Sequence, residues 1–389
     1  MDKNVVEMKK NIQDIVIVGG GPSGSYLGWL LAKNGFHPVI FDHSHPREKP
    51  CGGGISTLAI EKFKLLQDSP EEKDLDYNIE FISPGGTSVM TTGKKSGWVL
   101  SRLILDKFLL DKAVEQGCNL IQEQVIDVQL KDDIWNVKTK TQTYQAKFLV
   151  GADGVNSIVR KKILDPIPKE DIGLCYGCFA TSNKKEATRI KYFEDTQGYA
   201  WCFPRHDHLS IGIGIGSGDA KKIKKIYNDF ITTYYPNIDI KKTWGAKIPN
   251  IKNPKFYDLP CADDKWILVG DAAGHVDSTT GEGISYALWS AELAANAILN
   301  NNPKSFDTLW REEYGKTLID SCKQKNLFYN SRFLEYTIKL AQKSKTFSTF
   351  LYEYTMNQIP NKYLVRRIVG DIPNTIKEFI FSNIRQSSN

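Results

Sequence analysis

The feature that most constrains this chain is a glycine-rich turn set between an apolar strand and a helix. Residues 14–18 (DIVIV) form the kind of short apolar run that is buried on both faces of a parallel sheet. Gly19-x-Gly21-x-x-Gly24 follows, then a helical stretch to about Asn34 stopped by Gly35, then a second apolar run, PVIFD, at 38–42. Gly19 permits the tight turn, Gly21 lets a pyrophosphate approach the backbone, and Gly24 lets the helix pack on the strand. Pro22 and Ser23 lie in the same turn, where the helix start turns unpaired N–H groups toward the phosphates. Asp42 ends the next strand about 20 residues on, where a ribose-binding carboxylate is expected.

Two further segments repeat this grammar. KFLVGADG is an apolar strand running into Gly151-Ala152-Asp153-Gly154, followed by Ser157 and Arg160 on a helix. WILVGDAAG is another, with Asp271 between Gly270 and Ala272; Thr280-Gly281-Glu282-Gly283-Ile284 then opens an Ala-rich helix over 283–299. Asp271 is suited to sugar or ribityl hydroxyls, and the Gly281–Gly283 stretch lets backbone approach a flat ring. The positive end of the helix beginning there favours an anionic reduced flavin. The three turns in this order predict an FAD site.

The length, 389 residues, predicts two structural domains. The nucleotide-type elements fall at 1–75, 98–165 and 255–300. A β-rich part, at 76–97 and 166–254, is inserted between them as the expected substrate domain. Residues 301–389 read as a helical C-terminal region. The expected fold is α/β with mixed α+β character: a Rossmann-like FAD-binding domain, an inserted antiparallel β-sheet domain and C-terminal helices. In the strand LSIGIGIGS the glycines at 212–218 match no G-x-G-x-x-G register, so they predict room beside the flavin or substrate rather than a second nucleotide site.

The net charge of +6 is far from the clustered basicity of a nucleic-acid binder. Seven scattered cysteines are no disulfide framework and point to a reducing compartment; Cys175 and Cys178, spaced C-x-x-C, read as strand cysteines. No metal site is expected: the histidines at 43, 45, 206 and 208 have no completing ligands nearby. The first 14 residues are polar and charged, and no run of about 18 apolar residues occurs, so neither a signal peptide nor a membrane span is expected. The expected location is cytoplasmic.

The order G-x-G-x-x-G, L-x-R near 102, GADG-x-x-S-x-x-R, then GDAAG resembles the flavoprotein group containing aromatic hydroxylases, flavin halogenases and geranylgeranyl reductases. The resemblance spans roughly 12–300. It implies that Arg102 contacts FAD and that Asp153, with Gly154, and Asp271 lie near it. Two more motifs are similar to the geranylgeranyl reductase branch, especially its archaeal members. These are Pro50-Cys51-Gly52-Gly53-Gly54 and Tyr199-x-Trp201-x-Phe203-Pro204. In that branch the cysteine loop lies by the flavin and the aromatic segment lines the substrate tunnel. Alternating aromatics on one strand face also make an apolar wall by themselves.

That resemblance implies saturation of C=C bonds in a geranylgeranyl or polyprenyl chain, carried by a lipid or a diphosphate, through hydride transfer from reduced flavin. Cys51 and Tyr199 are then the candidates for catalytic proton donor, beside a water. The electron donor would be NAD(P)H or a reduced protein carrier such as ferredoxin. The competing function is an FAD-dependent monooxygenase or halogenase of an aromatic molecule; the halogenase pattern W-x-W-x-I-P differs here at Tyr199 and Phe203. In the C-terminal part Lys343, Lys345, Lys362, Arg366, Arg367, Lys377 and Arg385 outnumber Glu353, Asp371 and Glu378. Peripheral membrane contact is one reading of that excess, and a solvated helix face is the other.

Overall fold

The computed structural model describes residues 12–70, 74–181, 186–216, 218–356, 366–367 and 370–378. The first eleven residues, Lys362 and Arg385 lie outside the described residues. β1 (Gln13–Val18), α1 (Pro22–Lys33) and β2 (Val39–Phe41) open the chain. β3 (Gly54–Ile55) and α2 (Thr57–Lys62) lead to β4 (Asp74–Ile82) and β5 (Ser88–Val99). Then come α3 (Arg102–Gln116), β6 (Asn119–Ile121), β7 (Val125–Lys131), β8 (Ile134–Thr139), β9 (Thr143–Gly151) and α4 (Ile158–Ile163). The next stretch is β-rich: β10 (Ile172–Thr181), β11 (Thr188–Tyr192), β12 (Gly198–Pro204), β13 (Leu209–Ile215), α5 (Ala220–Tyr234) and β14 (Asp239–Pro249). β15 (Ala262–Asp263), β16 (Trp266–Leu268) and α6 (Ile284–Leu299) return to the first pattern. α7 (Ser305–Trp310), α8 (Lys316–Phe328), α9 (Ser331–Lys343) and α10 (Lys345–Thr355) follow.

These strands build two sheets. The first runs β15-β16-β9-β1-β2-β6, with β8 joining β9 and β7. Its central strands are parallel, and the register sets Val18 beside Phe41 and Gly151, and Gly151 beside Leu268. The glycine turns after β1 and β9 and the GDAAG turn just beyond β16 therefore leave one end of the sheet at nearly the same level. This is the carboxyl-end crevice where open α/β sheets bind ligands. α1 and α6 pack together, with Leu27, Leu31, Leu288 and Ala291 wholly buried.

The second sheet runs β14-β10-β13-β12-β11-β4-β5-β3. It is antiparallel except where β11 meets β4 in parallel. There, two segments distant in sequence meet edge to edge, and no hairpin dictates their direction. β3 belongs to this sheet, so the 50–54 loop passes between the two sheets. Period-2 alternation sorts the faces of β12. Ala200 and Cys202 join the core under α5, with Ile211, Ile213, Ile223 and Phe230. Tyr199, Trp201 and Phe203 face the other way, with Phe179 and Trp244.

α9 and α10 cover the β4–β5–β11 part of that second face, burying Leu334, Ile338 and Tyr352 against Phe81, Ile190 and Tyr192. Among the described residues, no helix is long and apolar enough to cross a membrane. Of the basic C-terminal residues, Arg367 pairs with both Glu353 and Asp371 at 3.2 Å.

Candidate functional site

A cavity of about 310 Å³ lies between the two sheets. One side is made by the turns of the first sheet: Gly21, Pro22, Ser23, Gly154 and Asp271 line it. A Cβ built on Gly21 meets nothing within 4 Å, so this glycine leaves backbone bare to the cavity at the start of α1. At Gly24 the same atom would lie 1.9 Å from the Gly19 carbonyl oxygen, which is why only glycine lets α1 seat on the turn. Gly19, Gly24 and Gly270 shape the turns without lining the cavity. A backbone cradle at a helix N-terminus, with the Asp271 carboxylate alongside, suits a pyrophosphate and its sugar.

A second side is the Cys51–Gly54 loop. Gly52 lies flat on the Phe203 ring, and a Cβ there would come within 2.6 Å of it. Gly53 has φ +85°, and its Cβ would meet the Leu100 carbonyl at 2.1 Å. The two motifs of the sequence thus touch: Gly52 and Gly54 lie against Phe203 of the aromatic strand, and Gly53 against Leu100. Polar residues outside both motifs anchor the loop. Arg205 donates to the Cys51 carbonyl at 2.9 Å and the Gly52 carbonyl at 3.2 Å, and Ser210 donates to the Cys51 carbonyl at 2.8 Å. Glu48 accepts from Arg205 at 2.7 Å and from the Arg102 and Leu103 N–H groups at the start of α3, each at 3.1 Å. The Cys51 Sγ accepts from the Gly53 N–H at 3.3 Å and faces the cavity, as does Cys175 of β10. Cys178 is buried on the opposite face of that strand.

The third side is the 278–284 segment entering α6, with Gly281, Glu282, Gly283 and Ile284 lining the cavity. The Tyr199 hydroxyl donates to the Thr280 carbonyl and Tyr329 to the Thr279 carbonyl, pinning this segment to the second sheet and the C-terminal helices. Burial pushes the Tyr199 phenol well above its ordinary range. Burial likewise raises Glu282 to about 7, with the Ser285 hydrogen bonds pulling the other way. Ser285 donates to Glu282 Oε1 and lies 3.1 Å from the Ser56 hydroxyl.

The fourth side is the aromatic face: Tyr199, Trp201, Phe203, Trp244, Ile190 and Tyr192, closed by Phe328, Tyr329, Tyr354 and Met356 from the C-terminal helices. Trp201 stacks on Trp244 with centroids 6.0 Å apart. Gly212 makes room for this: its Cβ would fall 2.4 Å from the Trp201 ring. Of the 212–218 glycines, Gly212 therefore houses tryptophan, while Gly214 and Gly216 line the cavity.

Four further expected site residues are held by protein partners or lie off the cavity wall. Asp42 does not line the cavity. Its carboxylate accepts from the Gly20 N–H at 2.8 Å and from the Ser44 N–H and hydroxyl at 2.7 and 2.6 Å, tying β2 to the first turn. Asp153 also stays outside, accepting from the Ile158 and Val159 N–H groups and the Ser157 hydroxyl to cap α4. Pro204 ends β12 opposite Leu209 and does not reach the cavity. Arg102 lines it but is only 4% exposed, and its guanidinium grips Asp106 at 2.5 and 2.7 Å. Burial works against the Arg102 charge, but Asp106 and the Cys51 thiol hold it firmly protonated. Lys325 and Asn250, which line the cavity's polar end, carried no local signal in the sequence.

The FAD binding domain family model matches residues 13–298. A digeranylgeranylglycerophospholipid reductase of Methanocaldococcus jannaschii is 25% identical over 95% of this chain and 98% of its own. An uncharacterised protein of Methanosarcina barkeri is 32% identical over 76% of each chain. The crystal structure of a geranylgeranyl bacteriochlorophyll reductase-like protein of Thermoplasma acidophilum superposes with a TM-score of 0.75. It is 18% identical and covers 96% of this chain and 100% of its own, a likeness of fold. The cofactor is FAD, and the chain belongs to the FAD binding domain family.

Proposed function

We propose that this FAD-dependent oxidoreductase saturates C=C bonds of a geranylgeranyl or other polyprenyl chain. The observation that carries the reading is the aromatic wall of β12, which faces the same cavity as the three glycine turns. An isolated alkene offers no polar handle, so only extended apolar contact holds it in place. The name of the M. jannaschii relative supports the same substrate class.

Bound FAD, when reduced, supplies hydride to one alkene carbon, and the other carbon needs a proton. Cys51, Tyr199 and Glu282 carry exchangeable protons at the cavity wall. The Tyr199 hydrogen is directed at the Thr280 carbonyl, so Tyr199 holds the 280–283 segment in place. Glu282, raised to about 7, still holds a proton on much of the protein at neutral pH and connects through Ser285 to Ser56. Glu282 and Cys51 are the groups that deliver the proton, and the aromatic wall keeps water from the reacting carbons. Electrons reach the flavin from NAD(P)H or from a reduced carrier such as ferredoxin.

The test is anaerobic incubation of the reduced holoprotein with geranylgeranyl lipids, followed by mass spectrometry. The expected product gains one dihydrogen per double bond, and Glu282→Gln and Cys51→Ala slow its formation while Tyr199→Phe acts more mildly. Turnover that requires oxygen and inserts oxygen or halide into an aromatic acceptor overturns the reading.

A further inference from the structure

We infer that Lys325 and Asn250 form a seat for a phosphate group at the polar end of the cavity, taking the head group of the prenyl substrate. The inference rests on the prenyl reading for the tail but not for the anion. Lys325 sits on α8, only 4% exposed, and lines the cavity together with Asn250, Gly216 and Lys247. Its ammonium donates to the Asn250 side-chain oxygen, and the Asn250 amide donates in turn to the Ser278 carbonyl at 3.1 Å. A Cβ on Gly216 would stand 2.8 Å from the ammonium and 2.9 Å from the Asn250 oxygen, so glycine leaves the pair its room.

Among the described residues Lys325 forms no salt bridge. The carboxylates that act on it are committed elsewhere. Asp171 accepts from the Lys252 N–H at 2.7 Å. Asp277 accepts from the Thr279 and Thr280 N–H groups and the Ser321 hydroxyl, each at 2.8 Å. Lys252 adds a further positive charge. A buried ammonium whose partner is a neutral carbonyl is an unfavourable arrangement for structure alone, because burial without a counter-charge penalises the ion. Burial, the largest influence, pulls Lys325 down to about 8, so it remains mostly charged at neutral pH. An anion entering from the cavity removes the imbalance, and a phosphate oxygen forms charge-assisted bonds to such a donor. The β12 side of the cavity is aromatic, so a ligand with an apolar tail and an anionic head finds a partner for each.

Calorimetric titration of the oxidised FAD-loaded protein tests this with four ligands. These are geranylgeranyl diphosphate, digeranylgeranylglyceryl phosphate, geranylgeraniol and inorganic pyrophosphate. The wild type is expected to bind at least one anionic prenyl compound about tenfold more tightly than geranylgeraniol. Lys325→Met is expected to erase that preference and leave geranylgeraniol binding unchanged. Gly216→Ala, which crowds the ammonium without removing it, is expected to weaken the same preference. Whichever anionic lipid loses affinity in Lys325→Met identifies the head group. Where prenyl compounds do bind, a preference that survives Lys325→Met, or none in the wild type, overturns the seat. If no prenyl compound binds but pyrophosphate binds in a Lys325-dependent way, the seat stands and the prenyl reading falls. If no ligand binds in a Lys325-dependent way, the seat falls.

Discussion

Glu282 and Lys325 are displaced toward neutrality by the same cause, burial, and the sign of each displacement fixes a pH dependence. Glu282 rises from its ordinary 4.5 to about 7. The folded protein thus holds a proton that the unfolded chain has already released across that window. Stability is therefore expected to fall as pH rises through it, by up to about 3 kcal/mol from this group, and Glu282→Gln is expected to flatten the slope. Lys325 moves from 10.5 down to about 8, so there the unfolded chain is the one that holds the extra proton. Its contribution grows as pH rises from about 8 to about 10.5, and Lys325→Met is expected to raise stability at neutral pH and remove that slope. Urea denaturation of the two variants across pH 4.5–10.5 checks both; a flat wild-type profile in either window contradicts the corresponding assignment.

At the scale of elements, the turns leaving the first sheet do two different jobs. The first holds ligand-facing backbone, and its demand for glycine is steric. Gly24→Ala would force a Cβ to within 1.9 Å of the Gly19 carbonyl, moving α1 off the turn. The expected result is loss of retained flavin, read from the visible spectrum after gel filtration, with a drop in stability of about 1–3 kcal/mol. The second turn supports a helix. Asp153→Ala removes the acceptor of the Ile158 and Val159 N–H groups, leaving the Ser157 cap of α4 in place, and is expected to cost about 1–2 kcal/mol while the Kd for FAD holds steady; a large loss of FAD affinity would make Asp153 a cofactor contact.

The contrast shows which parts of the site were legible. The strand–glycine–helix pattern and the alternation Tyr199-x-Trp201-x-Phe203 are local, and each was readable because one period or one steric demand dominates it. The reach of the Asp153 side chain is a matter of a few ångströms within a turn, and no spacing rule distinguishes a cofactor contact from a cap. Arg205 with Glu48, and Lys325 with Asn250, join residues far apart in sequence. Such pairs exist only after two sheets and the C-terminal helices have met, so no local pattern announces them.

On the scale of the whole molecule, the cavity is a shared boundary. The first sheet contributes the glycine turns, the second the aromatic face, and the C-terminal helices close the remaining side through Phe328, Tyr329, Tyr354 and Met356. These parts rest on separate apolar cores, one around β1, α1 and α6 and another joining β4, β5 and β11 to α9 and α10. Tyr352 of α10 is the keystone of the second: wholly buried, its ring lies over Gly93 and its hydroxyl donates to the Lys95 carbonyl at 2.9 Å. Tyr352→Ala leaves a cavity and removes the hydrogen bond to the Lys95 carbonyl, and is expected to destabilise the protein by about 3–5 kcal/mol. If the two cores are as separable as their composition implies, that loss falls on the closing helices and not on the glycine turns. The variant should then retain FAD at nearly wild-type affinity while binding geranylgeraniol more weakly, as flavin fluorescence and calorimetry on the same sample would record. Equal losses of both ligands would mean that the closing helices and the FAD turns respond as one cooperative unit.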